Sequence, residues 1–283
     1  MSRKLSAYCR ARCRGLRLTR RRFLALLGAS ALGCLVDASL VEPYLALEVS
    51  HLELSVGVEE PLRLMHVTDL HFSNQLLPSI YEAALSAVRS ADPDLITVTG
   101  DLVSKPEGVE DAVDFVAELA AQAPTYVVPG NWEYWSLGEG VQGFLEELEA
   151  VGEVEALVND SAELGEVCIV GVDDPYLHRS RLSEALDGAR GGVKVLLAHS
   201  PQIIGEARGR VDVVLAGHTH GGQVSLPFIG PLYVPLPAEY RRYVAGLFEE
   251  QGTYMYVCRG LGTSVAPLRF MCRPEVAVVD LLP

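Results

Sequence analysis

Cysteine is scarce in this sequence of 283 residues. There are six, of which three lie within the first 34 residues, and only Cys168, Cys258 and Cys272 occur after that point. Three widely spaced cysteines do not make a disulfide framework, so the small disulfide-stapled folds are excluded. We expect these thiols to be free and buried, with a Cys258–Cys272 bridge as the alternative.

Basic charge is also scarce, except at the N-terminus. Nine of the 23 Lys and Arg lie in the first 22 residues, and no acidic residue precedes Asp37. The rest of the chain has 14 Lys and Arg against 37 Asp and Glu, a formal charge of −23. This acidity disfavours nucleic-acid binding, which needs clustered basic side chains. It also repels phosphate substrates unless bound cations reverse the charge locally.

The N-terminal apolar run is short for a membrane-spanning helix. It covers residues 23–36, about 14 residues, whereas a span usually needs about 20. The run follows Arg20-Arg21-Arg22, and a basic block before such a run is the layout of a signal peptide. Because the run lacks a 3.6-residue period, an amphipathic helix in a cytosolic protein is disfavoured.

The arginine pair at Arg20 and Arg21 resembles a twin-arginine export signal. We therefore predict that residues 1–43 are a twin-arginine signal peptide or membrane anchor, recognised by the twin-arginine export machinery. The protein would then be periplasmic, extracytoplasmic or membrane-associated. Cleavage near Val36-Asp37-Ala38, lipid attachment at Cys34 and retention as an anchor all remain open.

The body, residues 44–283, lacks internal repeats and low-complexity tracts, which excludes solenoid and disordered architectures. Apolar runs of strand length alternate with segments of helical period, which indicates an α/β fold with buried parallel strands. The predicted strands are 47–56, 62–68, 94–99, 125–128, 154–158, 193–198 and 211–216, with a hairpin-like pair at 161–172 and helices at 78–90, 109–122 and 141–151. The last third favours antiparallel strands at 243–248, 253–258 and 275–282, and hence a second, mixed sheet.

Polar residues follow several of these apolar strands. They comprise two Asp, one Asn and four His: Asp69, His71, Asp101, Asn131, His199, His218 and His220. Loops beyond the carboxyl ends of parallel strands converge on one crevice, so we expect these side chains to meet. Carboxylate, amide and imidazole groups suit Mn, Fe or Zn, and one Asp can bridge two ions. We therefore predict two divalent metal ions, with Gly100, Gly130 and Gly217 allowing close backbone approach.

The ordered motifs Asp-x-His, Gly-Asp, Gly-Asn, His and Gly-His-x-His resemble the signature of calcineurin-like metallophosphoesterases, over nearly the whole chain from residue 62. The resemblance implies a four-layer α-β-β-α sandwich of two mixed sheets that hydrolyses phosphoester or phosphoanhydride bonds. It also implies which residues hold each ion: Asp69, His71 and His220 the first, Asn131, His199 and His218 the second, with Asp101 between them. The implied catalytic residues are Asp101, Asn131, His199 and the residue at position 132. The sequence looks closest to the exported or membrane-associated bacterial branch.

Position 132 departs from the family pattern. Most members read Gly-Asn-His-Asp or Gly-Asn-His-Glu, whereas this chain reads Gly130-Asn131-Trp132-Glu133. The usual histidine assists the leaving oxygen, and an indole has only one weakly acidic N–H. Trp132 therefore predicts a phosphodiesterase or pyrophosphatase acting on activated bonds. The alternatives are that Trp132 merely packs with Trp135, or that the protein is a weakened metal-binding scaffold.

Other polar residues are weaker candidates. We expect His66, inside a predicted strand, to be a core residue. A substitute proton donor on the loop bearing Asp173, Asp174 and His178 is conceivable, and Tyr240, Arg241 and Arg242 could meet a substrate phosphate. The expected substrate is a phosphorylated small molecule or lipid.

Overall fold

The protein is described here by a computed structural model covering residues 19–74, 77–190 and 192–283. The chain divides into two units, one ending at Asp37 and the other running from Ala38 to Pro283. In the first unit, helix α1 spans Arg20–Val36 and begins at Thr19, whose hydroxyl accepts a hydrogen bond from the Arg22 amide at 3.3 Å. This N-cap satisfies one of the free amides of the first turn.

The helical run does not stop where the sequence suggested. After α1 it continues through a π turn, Asp37–Val41, into α2, Glu42–Leu45. The run of 26 residues is long and apolar enough to cross a membrane, whereas the sequence alone suggested an apolar stretch of about 14. A signal sequence near an N-terminus passes the same test, so the nature of the leader stays a prediction, as does the boundary at residue 43.

Residues 38–45 belong to the body by their contacts. The Glu42 carboxylate accepts hydrogen bonds from the amides of Met271 and Cys272, and Tyr44 is fully buried. The Ser79 hydroxyl donates to the Tyr44 carbonyl. This segment is therefore a structural part of the second unit.

The first of two large sheets has the strand order β1-β14-β2-β3-β4-β5. Its strands are Glu48–Ser55 (β1), Leu62–Val67 (β2), Leu95–Thr99 (β3), Thr125–Val128 (β4), Val154–Ala156 (β5) and Glu275–Leu282 (β14). All neighbours pair in parallel except β14 and β2, which are antiparallel. The sheet is therefore mixed, with β2, β3 and β4 delivering their carboxyl ends to one edge.

The second large sheet has the order β12-β13-β9-β8-β7-β6. Its strands are Asp160–Leu164 (β6), Val167–Gly171 (β7), Val193–Leu197 (β8), Val213–Ala216 (β9), Gly246–Glu250 (β12) and Thr253–Val257 (β13). The strands β7, β8, β9 and β13 run parallel, and antiparallel strands close both edges. A small hairpin, Ser225–Leu226 (β10) and Gly230–Pro231 (β11), stands apart from both sheets.

Helices cover the outer face of each sheet. They are Ser79–Ala91 (α3), Val109–Ala120 (α4), Asn131–Leu137 (α5), Val141–Glu149 (α6), Leu182–Asp187 (α7) and Ile204–Ala207 (α8). One apolar cluster joins α3, α4 and α6 to the first sheet, a second lies between the sheets, and a third joins α7 and α8 to the second sheet. These three cores confirm the predicted four-layer α-β-β-α sandwich.

Most predicted strands and helices are present within one or two residues of their expected bounds. Two expectations were wrong. The second sheet does not arise from the last third of the chain, because it already begins at β6 and because β14 inserts into the first sheet between β1 and β2. The helices α5, α7 and α8 were not predicted, since each has at most seven residues, too few to show an apolar period.

Candidate metal centre

The seven polar residues singled out in the sequence all lie just beyond strand ends. Asp69 and His71 follow β2, and Asp101 and Asn131 follow β3 and β4 of the same sheet. From the second sheet come His199 after β8, and His218 and His220 after β9. All seven are at most 5% exposed, although each is polar or charged. Both sheets thus contribute their carboxyl ends to one buried polar site.

The side chains form two adjacent groups of possible metal ligands. One group is Asp69, His71 and His220, and the other is Asp101, His199 and His218. The Asp101 Oδ2 atom lies 3.1 Å from His199 Nε2 and 3.6 Å from His71 Nε2, so this carboxylate stands between the two groups. The first group contains the residues predicted for the first ion, and the second contains His199 and His218 of the predicted second set together with Asp101, the predicted bridge. The individual roles stay predictions.

Backbone carbonyls on the far side of three imidazole rings hold those rings in one orientation. His199 Nδ1 lies 2.8 Å from the Thr99 carbonyl, His218 Nε2 lies 3.0 Å from the Pro235 carbonyl, and His220 Nδ1 lies 3.3 Å from the Gly262 carbonyl. A carbonyl can only accept, so His199 Nδ1 and His218 Nε2 are N–H donors, whereas His220 Nδ1 also lies 3.3 Å from the Arg269 guanidinium, which can only donate. In the neutral His199 and His218 rings the opposite nitrogen then presents a lone pair to the site. This is the usual arrangement of metal-ligating histidines.

In neutral His199 and His218 the inner nitrogens are therefore acceptors, and they lie beside the acceptor oxygens of Asp101. His71 Nε2 lies 3.0 Å from His220 Nε2, and His199 Nε2 lies 3.1 Å from His218 Nδ1. The buried Oδ1 atom of Asn131 has no hydrogen-bond partner among the residues described. Facing lone pairs and an unpaired buried oxygen are costly without a cation between them. The donor set thus fits a pair of divalent ions.

Burial governs the ionisation of the site in the absence of ions. It raises the pKa of Asp101 to about 7 and also raises the pKa of Asp69. Burial lowers the pKa of His71 and His220, and lowers that of His218 to about 3. For His199 burial acts in the same direction, but the neighbouring Asp101 outweighs it and the pKa is raised. Without metal, the Asp101–His199 pair therefore retains a proton.

Five of the seven site residues have left-handed backbone conformations. Their φ angles are 54° at Asp69, 53° at His71, 53° at Asp101, 71° at His218 and 50° at His220. This region costs free energy for residues other than glycine, and such strain persists only where the surroundings fix it. The turns after β2, β3 and β9 are thus held open by the fold, which aims these side chains inward.

The predicted role of the glycines follows from two different geometries. Gly100 has a φ of 77°, which glycine adopts without strain. Gly130 and Gly217 are required by proximity instead: a Cβ on Gly130 would lie 2.4 Å from Asp101 Oδ1, and one on Gly217 would lie 2.2 Å from Asp69 Oδ2. At these two positions any side chain would displace a carboxylate of the site.

Glu133 holds two loops of the site together, a role that the sequence reading missed. Its carboxylate accepts hydrogen bonds from four backbone amides, those of Asp101, Leu102, Val103 and Gly130, at 2.7 to 3.2 Å. The side chain is fully buried. The sequence signal for this role was the position of Glu133 directly after Trp132 in the Gly-Asn motif.

Trp132 lies beside the first group of ligands. Its ring meets the His71 ring edge-on at a centroid distance of 5.5 Å, and its backbone amide donates to Asp101 Oδ1 at 2.8 Å. Trp135 packs against it at 5.5 Å, so the expected aromatic cluster exists. Both tryptophans also line a cleft of about 380 Å³ that opens from the site. Packing and substrate contact are therefore compatible roles.

Tyr176 also lines this cleft and was not singled out in the sequence. Its ring lies 4.5 Å from that of His218 and 6.2 Å from that of Trp135. The loop that carries it does not place the suggested proton donors there. Asp174 accepts from two backbone amides of its own loop, and Asp173 binds the Tyr134 hydroxyl and the Arg179 guanidinium.

The remaining candidates lie elsewhere in the described structure. His178 and Tyr240 line a different depression, Arg241 donates to the Leu236 carbonyl, and Arg242 pairs with Glu250. His66 is fully buried between Thr97 and the Ala216 carbonyl, which confirms its core role. The thiols of Cys168, Cys258 and Cys272 are free and buried, so the alternative Cys258–Cys272 bridge is not formed.

Two supporting residues gave no signal in the sequence. Ser104 Oγ lies 2.9 Å from His71 Nδ1 and so orients that ring. Arg269 is fully buried, and its guanidinium donates to the carbonyls of Arg259, Gly260 and Gly262, the last of which faces His220. Their positions depend on long-range packing that no local pattern records.

Known proteins of similar sequence identify the family of this chain. The pattern that defines the calcineurin-like phosphoesterases matches residues 62–222. An uncharacterized metallophosphoesterase, YkuE of Bacillus subtilis (strain 168), is 28% identical over 94% of this chain and 98% of its own length. The phosphodiesterase YaeI of Escherichia coli (strain K12) is 30% identical over 78% of this chain and 83% of its own.

A solved structure, that of TT1561 from Thermus thermophilus, superposes with a TM-score of 0.49 and 14% identity over 71% of this chain and 91% of that one. The family is defined by the sequence match and not by this superposition. The match spans strands β2 to β9 and therefore all seven residues of the site. The chain belongs to the calcineurin-like metallophosphoesterases, and it is a metal-dependent phosphoester hydrolase.

Proposed function

We propose that this hydrolase cleaves phosphodiester or phosphoanhydride bonds whose leaving group departs without being protonated. The observation that carries the proposal is Trp132, whose ring lies against His71 at the place in the motif where most relatives have a histidine. An indole N–H is too weakly acidic to protonate a departing alkoxide. Aryl and diphosphate leaving groups need no such proton.

The residues of the site would hold two divalent ions, which polarise the phosphoryl oxygens and offset the charge that develops on them. The backbone carbonyls behind His199, His218 and His220 keep the rings in one orientation. Trp132, Trp135 and Tyr176 form part of the wall of the cleft. The two ions would also reverse the negative charge of Asp69 and Asp101, so that a phosphate is attracted within an acidic body.

The cleft favours a substrate with an aromatic or apolar portion next to its phosphate. Its lining joins four Trp and Tyr rings to apolar side chains such as Leu232, Val265 and Leu268. A lipid-linked pyrophosphate or a nucleotide diphosphate compound has this combination together with a phosphate leaving group, whereas a phospholipid would release an alkoxide. We propose these classes as the substrates.

The test compares an aryl with an alkyl phosphodiester and with a pyrophosphate, using the purified protein loaded with Mn, Zn or Fe and Asp101→Asn as the blank. We expect the aryl ester and the pyrophosphate to be cleaved, and the alkyl ester to be cleaved far more slowly. Trp132→His should raise alkyl turnover by about 10²-fold, the lower range of general-acid assistance, with little change on the aryl ester.

Trp132→Phe is the matched control, because it keeps an aromatic ring and adds no proton donor. If Trp132→His gained nothing on the alkyl ester, the proposed leaving-group preference would be wrong. If the metal-loaded protein turned over none of the substrates, the alternative of a metal-binding scaffold would be favoured.

We further propose that the protein acts outside the cytoplasm or at a membrane face. The arginines Arg20 and Arg21 open helix α1, which has no buried residue. Replacing both with Lys should keep the protein in the cytoplasm if the twin-arginine machinery exports it. Unchanged fractionation of the Arg20→Lys/Arg21→Lys variant would contradict this route.

A further inference from the structure

A continuous apolar surface borders the mouth of the catalytic cleft. It is formed by the tip of the β10–β11 hairpin and by the neighbouring loop 263–268. The most exposed apolar side chains of this surface, called here the rim patch, are Phe228, Ile229, Leu232, Tyr233 and Val265. Leu232, Tyr233 and Val265 also line the cleft itself, so the patch is continuous with the catalytic site.

Hydrogen bonds between the hairpin and the neighbouring loop hold the rim patch in place. The Gln223 side chain donates to the carbonyls of Ala266 and Leu268 at 2.7 and 2.9 Å, and it accepts a hydrogen bond from the Ser264 amide. These bonds join the base of the hairpin to the loop 263–268. The backbone of Val224 also pairs with that of Phe270. The apolar side chains are therefore presented together on a fixed support.

Phe228 is the most unusual residue of the patch. Its side chain is fully exposed, with a relative accessibility of 108%, and its φ angle is 66°. A bulky residue in the left-handed region is strained, and here no packing within the described structure compensates for that strain. Such a position suits an asparagine or glycine if stability alone decides. The aromatic side chain is thus explained by a contact with a partner that lies outside the body of the protein.

The charge distribution around the rim patch indicates which kind of partner it contacts. Residues 213–238 contain no Asp, Glu, Lys or Arg, although the chain average predicts about five in 26 residues, and residues 260–268 contain none either. Protein interfaces are rimmed by polar and charged residues that set the partner and its register. An uncharged, convex tip with exposed Phe, Ile, Leu and Tyr instead matches the interfacial region of a lipid bilayer. The same chain has an N-terminal helix apolar enough to cross a membrane.

We propose that the rim patch inserts into a lipid surface and so delivers a membrane-held lipid pyrophosphate to the cleft. The hairpin tip would enter the acyl boundary, and Tyr233 would lie at the headgroup level with its hydroxyl in water. A lipid phosphate then needs only a short displacement from the bilayer to reach the site. This inference deepens the proposed function, on which the choice of a lipid substrate rests.

The first experiment measures insertion with the full chain in phosphatidylcholine vesicles. A polarity-sensitive fluorophore is attached at Phe228→Cys, after Cys9, Cys13 and Cys34 are replaced with Ser. The matched control label is at Leu247→Cys, another exposed apolar position, on the edge strand β12. We expect lipids with quenchers in their acyl chains to quench the label at 228 and to leave the label at 247 unchanged.

A label at 228 that emits as it does in water, or equal quenching at both positions, would overturn the proposal. The proposal would also be overturned if the label at 228 were shielded from water without vesicles and this shielding increased with protein concentration. That result would assign the patch to contact with a second copy of the chain.

The second experiment measures turnover by Phe228→Asn/Ile229→Asn, whose residues do not line the cleft. Asparagine tolerates the left-handed conformation at 228, so the variant should fold. We expect turnover of a soluble aryl phosphodiester within twofold of the parent. Turnover of a lipid pyrophosphate in vesicles should fall about tenfold or more, because two apolar side chains that would insert into the bilayer are lost.

The outcomes separate the two proposals. An inactive parent on the soluble aryl ester would refute the proposed function, while the quenching measurement would still decide on the rim patch. Normal aryl turnover with equal lipid turnover in parent and variant would refute the rim patch alone.

Discussion

At the scale of single residues, the histidine rings of the metal centre are oriented by groups on the side of each ring that faces away from the site. Each ligating nitrogen or oxygen was visible in the sequence as a polar residue after an apolar strand. The groups that orient them were not, because three are backbone carbonyls that every residue possesses. The fourth histidine, His71, is oriented by the Ser104 hydroxyl, 33 positions away. Sequence therefore predicts the composition of such a site better than its geometry.

Ser104→Ala tests the importance of this orientation. Without the hydroxyl, the His71 ring loses the partner that fixes its rotation, and the affinity for the first ion should fall about 10- to 100-fold. Metal titration of the stripped protein measures the change. Ser90→Ala is the control, since that exposed hydroxyl only bonds back to the Ser86 carbonyl within α3. An unchanged affinity in Ser104→Ala would show that the His71 ring is held by other contacts.

At the scale of elements, the carboxyl ends of the strands must also be kept at a fixed spacing. Glu133, in the first turn of α5, joins the loop after β3 to the loop after β4 through four amide hydrogen bonds. In Glu133→Gln an amide group would turn its own N–H atoms toward these donors. We expect a loss of about 3 kcal/mol in the free energy of unfolding.

Because Asp101 lies on the displaced loop, Glu133→Gln should also lower turnover at saturating metal. Urea denaturation and aryl-ester kinetics measure the two effects. The exposed Glu139, six positions later, offers Glu139→Gln as a control of equal chemistry. If both variants behaved alike, Glu133 would have no special role in spacing the loops.

The two sheets are tied to each other by Glu275 at the start of β14. Its carboxylate accepts from the Tyr256 hydroxyl of β13, from the Ser50 hydroxyl of β1, and from the Arg259 backbone and guanidinium. Burial raises the pKa of Glu275, but Arg259 outweighs burial and the net pKa lies below the ordinary 4.5. The stabilisation is thus present above pH 4.5 and is lost as the pH falls through the lowered pKa.

Glu275→Gln should therefore cost about 2 kcal/mol of unfolding free energy at pH 7, and progressively less as the pH falls below 4.5. Denaturant unfolding across this range measures the difference from the parent. Asp280→Asn on the same strand is the control, because its pair with Arg63 is partly exposed and is worth at most about 1 kcal/mol. A cost for Glu275→Gln that persists unchanged in acid would disprove the assigned ionisation.

Elements were predictable where a local pattern was long enough, as for β2, β4 and α4. Their pairing was not, since the position of β14 between β1 and β2 joins segments more than 200 residues apart. The resemblance to a known family supplied the four-layer arrangement that apolar periodicity alone left undetermined. The small helix α5 and the hairpin β10–β11 were missed because both depend on tertiary contacts.

At the scale of the whole molecule, the site is where the two sheets meet, and ions would close it. The turns that carry Asp69 and Asp101 come from the first sheet, and those that carry His199 and His218 come from the second. Without cations, His220 Nε2 of the second sheet lies 3.0 Å from His71 Nε2 and 3.3 Å from Asp69 Oδ1 of the first sheet, and Asp101 shares a proton with His199 across the two sheets. Metal binding should therefore stabilise the entire second unit and not only its loops.

Removal of metal should lower the melting temperature, and the effect should depend on pH. A site saturated at about 1,000 times its dissociation constant adds about 4 kcal/mol to the free energy of unfolding. The raised pKa of Asp101, about 7, means that the metal-free site holds a proton below that pH. Because the ion must displace this proton, apparent affinity should fall about tenfold for each pH unit below 7.

Calorimetry with Mn and with a chelator, at pH 6 and at pH 8, measures both effects. At limiting Mn, the difference between the melting temperature with Mn and the melting temperature with chelator should be larger at pH 8. In Asp101→Asn the titrating carboxylate is absent, so the pH dependence should be weaker as well as the difference smaller. The contrary outcome is a melting temperature that the chelator leaves unchanged at both pH values. It would mean that the fold is equally stable with this site free of cations. That result would contradict the electrostatic argument for the metal centre.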